Sequence, residues 1–190
     1  MNGFDFTQHI RRLCVDIVSR LDSLRHIHLD RVAIRFCQTR QPGRYGIQAS
    51  LTPLRFVGGS LETHKRGRRY TVQRIRDEHG REMLYLLSFY LPRFLDRPFE
   101  DKLSTVIHEL WHIGPNFDGD IRRHEGRCYA HTGSQKQYDA VIDQFTKQWL
   151  SLDPPEEVYS FLRLNFRQLT QSHGPVIGRR IATPRLVPIG

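Results

Sequence analysis

Between Phe4 and Leu24 the apolar residues Phe6, Ile10, Leu13, Ile17, Leu21 and Leu24 recur three and four positions apart, the period of an amphipathic helix. The period then shortens. Arg31 to Cys37 alternates Val32, Ile34 and Phe36 with other side chains, and Arg44 to Phe56 carries a second extended stretch after the turn signal Gln41-Pro42-Gly43. The two are expected to form paired strands. Tyr70 to Ile75 alternates again, Asp77 to Gly80 supplies a turn, and Glu82 to Tyr90 is mostly apolar. A nine-residue run between a glycine turn and Pro92 favours a strand over a buried helix.

The next segment, "LDRPFEDKLSTVIHELWHIGP", returns to helical spacing. Pro98 stands in the first turn with Glu100 and Asp101 near the positive end of the helix dipole, and Gly114-Pro115 marks the end. Leu103, Val106, Ile107, Leu110 and Trp111 form an apolar stripe that must face a core. After a polar loop, Ser134 to Leu150 is again helical through Tyr138, Val141, Ile142, Phe145 and Trp149, and Pro154-Pro155 opens a further helix from about Glu156 to Leu169. From Ser172 the chain is rich in Gly, Pro and Arg, and no regular structure is expected there. The pattern predicts an α+β domain over residues 1–172, a small mixed or antiparallel sheet packed against helices, with an irregular tail over 173–190.

Composition narrows the class. With 38% hydrophobic and 26% charged residues the chain has the balance of a folded globular domain. The longest apolar run, Met83 to Leu91, is interrupted by Ser88 and is far shorter than a bilayer span, and "MNGFDFTQHIRRL" lacks the order of a secretory signal. A cytoplasmic setting without membrane association is expected. Cys14, Cys37 and Cys128 are odd in number and widely spaced, which suits reduced thiols. A net charge of +9 draws the protein towards polyanions, nucleic acid among them, although the densest cluster, His64 to Arg69, has the look of a solvated hairpin tip.

Within the stripe-bearing helix lies His108-Glu109-Leu110-Trp111-His112. Residues four apart on a helix share a face, so His108 and His112 can aim both imidazoles at one ion, with Glu109 near enough to take a proton from water at the same place. A catalytic zinc needs a third protein ligand and an open position. The candidates downstream are His124, His131, Asp118, Asp120 and Glu125. The metzincin spacing is excluded, because Pro115 and Asp118 stand where it requires Gly and His; the Ser134 to Leu150 helix contains no Glu, which excludes the thermolysin-like third ligand. His131, at the mouth of that helix, is the favoured third ligand, and His124, placed among arginines, is the alternative.

The segments "HELWH" and "AHTGSQKQYD" resemble the SprT-like zinc metallopeptidases, whose third histidine precedes a helix. "YLLSFYLPRFLDRPFEDKLSTVIHELWHIGPNFDGDIRRH" also resembles a phage-type metallopeptidase family in which a His-Glu-Leu-x-His-Ile helix is followed by Pro-x-Phe-Asp-Gly. The likeness covers roughly Glu82 to Phe145. It implies a zincin-like fold with the motif on a central helix, Zn2+ held by His108, His112 and His131, Glu109 as the catalytic residue, and a protein or peptide substrate. Two features depart from the pattern: the turn reads "HTGSQKQY" where the family has a compact His-Gly-x-x-Phe, and the cysteines for a C-terminal zinc ribbon are missing.

On this reading zinc activates water and polarises the scissile carbonyl, Glu109 moves the proton, and Tyr129, Tyr138 or a loop arginine offers a donor to the oxyanion. Asp118 and Asp120 are candidates to orient an imidazole, or plain turn residues. Glu82 to Tyr90 or Tyr70 to Ile75 is expected to line the cleft as a substrate-pairing strand. The competing expectations are a basic nucleic-acid-associated module with a structural metal, and a protease recruited to DNA by its charge.

Overall fold

The computed structural model describes residues 3–39, 46–123 and 135–189, the side chains of 135–137 excepted. In chain order the elements are β1 (Phe4–Asp5), α1 (Phe6–Arg20), β2 (Val32–Gln38), β3 (Ala49–Pro53), β4 (Glu62–Lys65), β5 (Arg68–Val72), β6 (Tyr85–Leu91), α2 (Phe99–Trp111), α3 (Gln135–Ser151), α4 (Glu156–Tyr159), α5 (Phe166–His173), β7 (Val176–Ile177) and β8 (Leu186–Ile189). The class is mixed α and β, with small sheets packed against helices. Among the described residues no helix is long and apolar enough to cross a membrane.

Helix α1 starts where the side chain of Asp5 accepts the Gln8 N–H, and it buries Phe6, Ile10, Leu13, Cys14 and Ile17, the stripe its spacing predicts. That stripe meets one face of a sheet ordered β2-β6-β3. The expected pairing of β2 with β3 does not form. Strand β6 lies between them, parallel to β2 and antiparallel to β3. The physical reason is apolar content: all of β6 except Tyr90 is buried, so it takes the position covered on both faces, while β3 carries a proline and takes an edge.

Alternation divides the two faces. Val32, Ile34, Tyr85, Leu87 and Phe89 join the main core with α1 and α2, whereas Ala33, Leu86, Met83 and Leu54 form a second cluster with Val72, Ile75 and Ile181 on the other side. The participation of Ile181 corrects the expectation of an irregular tail. Strand β7 pairs with β1, and β8 pairs with β5 in a sheet ordered β4-β5-β8. Between them the chain is held by Arg35, which is 6% exposed and donates to Ser88 Oγ, the Ile181 carbonyl and Thr183 Oγ1. Partner groups far away in sequence order this segment, and local composition carries no trace of them.

The basic cluster is a hairpin as expected: β4 and β5 turn at Arg66 and Gly67, both with positive φ (52° and 73°), the conformation of a two-residue hairpin loop. The expected single helix from Glu156 to Leu169 is broken into α4, a 3-10 turn over Ser160–Arg163 and α5. Asn165 restarts it with a reciprocal capping box to Gln168, a signal present in the sequence as Asn-x-x-Gln.

Candidate metal and catalytic site

Helix α2 carries the His-Glu-x-x-His motif. Leu103, Val106, Ile107 and Leu110 bury one face, which fixes its rotation, and the opposite face presents Thr105 and His108 to a cleft of about 570 Å3. Ala49, Gln48, Glu109 and Ile142 complete its inner wall. His108 and His112 stand one turn apart and point their ε nitrogens at one another, Nε2 to Nε2, at 2.9 Å. Two imidazole nitrogens on a tetrahedral zinc, each about 2.0–2.1 Å from the ion, lie about 3.3 Å apart, so a small adjustment opens the pair for an ion. The same spacing suits a hydrogen bond between the rings in the metal-free protein.

The end of α2 is tied down from outside the helix. The Arg122 N–H donates to the His112 carbonyl (2.7 Å), and Arg122 Nε donates to the Trp111 carbonyl (2.9 Å) with its guanidinium 3.7 Å above the Trp111 ring. Between Ile113 and Ile121 the chain doubles back as an isolated bridge, and Gly114 N–H donates to the Asp120 carbonyl. A Cβ on Gly114 would fall 2.7 Å from that carbonyl oxygen, so the residue is small because the backbone approaches closely. Tyr85 of β6 donates to the Asp120 carbonyl and accepts the Gly119 N–H, which fastens this loop to the sheet. Burial pushes the Tyr85 hydroxyl up to about 12.

Glu109 is 7% exposed and sits between α2 and β3. Burial pushes its carboxyl up to about 7, against the opposing effect of a hydrogen bond from the Leu51 N–H. That donor identifies the strand beside the site. Gln48 and Leu54 bond their backbones to β6 and the residue before it, through Tyr90 N–H to the Gln48 carbonyl and Leu54 N–H to the Leu84 carbonyl, so the backbone groups of the even-numbered residues face inward. Ala49, Leu51 and Pro53 therefore turn their backbone groups to the outer edge above α2, which pairs with no other strand among the described residues. The strand expected to line the cleft was Glu82 to Tyr90 or Tyr70 to Ile75; the former is the sheet's centre, the latter belongs to the β4-β5-β8 sheet, and β3 is the lining strand. Pro53 was the available signal, since a proline within a strand belongs on an edge with its nitrogen outward.

Tyr138, in the first turns of α3, is 2% exposed and packs on both histidines, with ring centroids 5.0 Å from His108 and 5.7 Å from His112. Its hydroxyl lies 3.4 Å from His112 Nδ1. Burial pushes the pKa of its hydroxyl up, and the charge of Glu109 adds to the effect.

Of the other candidates, Asp120 is engaged by Gly58 N–H, Ile121 N–H and the Arg123 guanidinium, and Asp118 accepts the Asp120 N–H; both act as turn residues. His131, His124, Glu125, Tyr129 and Cys128 lie outside the described residues. Cys14 and Cys37 are free thiols. Among the described residues no three His, Cys, Asp or Glu side chains gather so as to hold a metal ion. No family model, no curated protein and no solved structure matches this chain, and the resemblance in the motif region stands on those residues alone.

Proposed function

We propose that the chain is a zinc-dependent peptidase of the zincin type, related to the SprT-like and phage-type metallopeptidases. The observation that carries this reading is the meeting of His108 Nε2 and His112 Nε2 at 2.9 Å beside the buried carboxyl of Glu109, in a cleft bordered by the outer edge of β3. The donor pair fits zinc in element and spacing; the third nitrogen falls to His131, with His124 as the alternative. When bound there, zinc supplies Lewis acidity toward water and the scissile carbonyl.

The protein's own groups account for the remaining work. Glu109 has a carboxyl tuned close to neutrality, so one oxygen can take a proton from the attacking water and return it to the leaving amine. The Leu51 N–H holds that carboxyl in place. The outward N–H of Ala49 and the outward carbonyls of Ala49 and Leu51 offer an extended peptide part of the pairing that β6 gives on the other side, a recognition mode with little dependence on side chains.

Substituting Glu109→Gln keeps shape and removes the base. The expected result is a chain that retains zinc and loses cleavage of an unfolded protein substrate by a factor of about 100 or more. Full hydrolysis by this variant contradicts the role of Glu109, and the same assay separates a hydrolytic from a purely structural metal, which needs no free carboxylate.

A second reading has its own support. The β4–β5 hairpin exposes Lys65, Arg66, Arg68 and Arg69, of which Arg69 is paired with Glu62 at 3.4 Å, and this surface suits a nucleic-acid backbone as the means of recruiting the protease. Binding to DNA that weakens steeply with salt and accelerates cleavage supports it; equal rates with and without DNA contradict it.

A further inference from the structure

A ring nitrogen serves as a metal ligand only when its lone pair faces the ion, which requires the proton to sit on the other nitrogen and to be held there. His112 presents its two nitrogens to different partners. Nε2 faces His108 Nε2 at 2.9 Å, and Nδ1 faces the Tyr138 hydroxyl at 3.4 Å. The two lone-pair directions of an imidazole diverge widely, so the Tyr138 oxygen lies behind the ring as seen from the point where the ε nitrogens converge.

We propose that Tyr138 is the positioning residue of the metal site: its hydroxyl oxygen accepts the Nδ1–H of His112 and thereby presents the Nε2 lone pair toward the ion. This rests on the zinc reading above and adds a role to a side chain outside the His-Glu-x-x-His motif. It gives Tyr138 a different role from the oxyanion donor considered from the sequence.

Packing makes the arrangement rigid. The Tyr138 ring lies near-parallel to His112, 26° between planes, and meets His108 edge-on at 67°, so a single side chain from α3 restrains both imidazoles of α2. At 2% exposure the phenol has little access to competing water, and a hydroxyl accepts a hydrogen bond without adding a formal charge beside the ion. Most metal-bound histidines use a carboxylate or a backbone carbonyl for this purpose. Here a phenol performs it.

The test uses the full chain and zinc itself. Zinc affinity is measured by competition with a chromophoric chelator for the wild type and Tyr138→Phe, which keeps the ring and deletes the oxygen, together with the melting temperature of each metal-free form. The expected result is binding about ten- to a hundredfold weaker in Tyr138→Phe with little change in metal-free melting. Affinity within twofold of the wild type overturns the inference while leaving the zinc reading intact, as does a loss of affinity matched by an equal loss of metal-free stability. A wild type that takes up no zinc overturns both. An independent readout needs no variant: long-range proton–nitrogen correlation spectra of the metal-free wild type show His112 protonated on Nδ1, and protonation on Nε2 instead overturns the assignment.

Discussion

The guanidinium of Arg122 lies 3.7 Å above the ring of Trp111 while its Nε donates to the Trp111 carbonyl, so one side chain both covers the last turn of the motif helix and satisfies its backbone. Unpaired carbonyls at a helix end invite fraying, and fraying here would release His112 from His108. Replacing Arg122 with Ala removes a cation–π contact and a charged cap together. The expected loss is about 1–2 kcal/mol of unfolding free energy in urea titration, with zinc affinity reduced in parallel. Arg122→Lys, which cannot stack and cap in the same posture, should fall nearer to Ala than to the wild type.

Tyr85 ties the loop after α2 to the central strand through two hydrogen bonds at 2.9 and 3.0 Å. Tyr85→Phe leaves the Gly119 N–H without its acceptor in a buried place and the Asp120 carbonyl with the Gly114 N–H alone. A cost of about 1–3 kcal/mol is expected, read as a lowered urea midpoint with an unchanged slope.

The C-terminal segment is part of the fold. Removing residues 178–190 takes Ile181 from the second cluster, strips Arg35 of two of its three acceptors and deletes β8. A guanidinium left with Ser88 as its one acceptor is costly, so the truncated chain should lose about 3–5 kcal/mol or fail to fold, and Arg35→Met in the truncated chain should recover part of the loss. Equal melting temperatures for full-length and truncated protein contradict this.

Lys102 is 2% exposed and donates to the carbonyls of Leu95 and Leu164; burial pushes its ammonium down to about 8 from an ordinary 10.5. Between those two pH values the unfolded chain holds a proton that the folded chain has shed. The destabilising cost of the buried charge is therefore fully present below pH 8 and is relieved as pH rises toward 10.5. Urea midpoints measured across this window should rise for the wild type relative to Lys102→Met. A pH-independent gap between the two contradicts the shifted ionisation.

The elements that the sequence reveals are those whose partners lie within one turn or one strand. The stripe of α1 and that of α2 are complete within their own helices, and His108, Glu109 and His112 fall within five consecutive positions, so their convergence follows from helical pitch alone. Sheet order is different in kind. Whether β3 pairs with β2 or with β6 depends on which strand is covered on both faces, and that is settled by the tail and by α1, more than 100 residues apart. The role of Leu51 is hidden for another reason: it acts through a backbone N–H, which every non-proline residue possesses. Arg122, eleven residues after Trp111, becomes a cap only because Ile113 and Ile121 bridge. The proposed third ligand, His131 or His124, is a reading of the sequence, and both residues lie outside the described ones.

The central claim, a divalent metal centre built on His108 and His112, is tested most directly by elemental analysis of the purified chain after zinc loading and desalting, alongside His108→Ala, His112→Ala, His131→Ala and His124→Ala. The account predicts about one zinc per wild-type chain, loss of that zinc in the first two variants, and loss in His131→Ala with retention in His124→Ala if His131 is the third ligand. A wild-type chain that retains no zinc, or one whose zinc content is indifferent to removal of both His108 and His112, contradicts it.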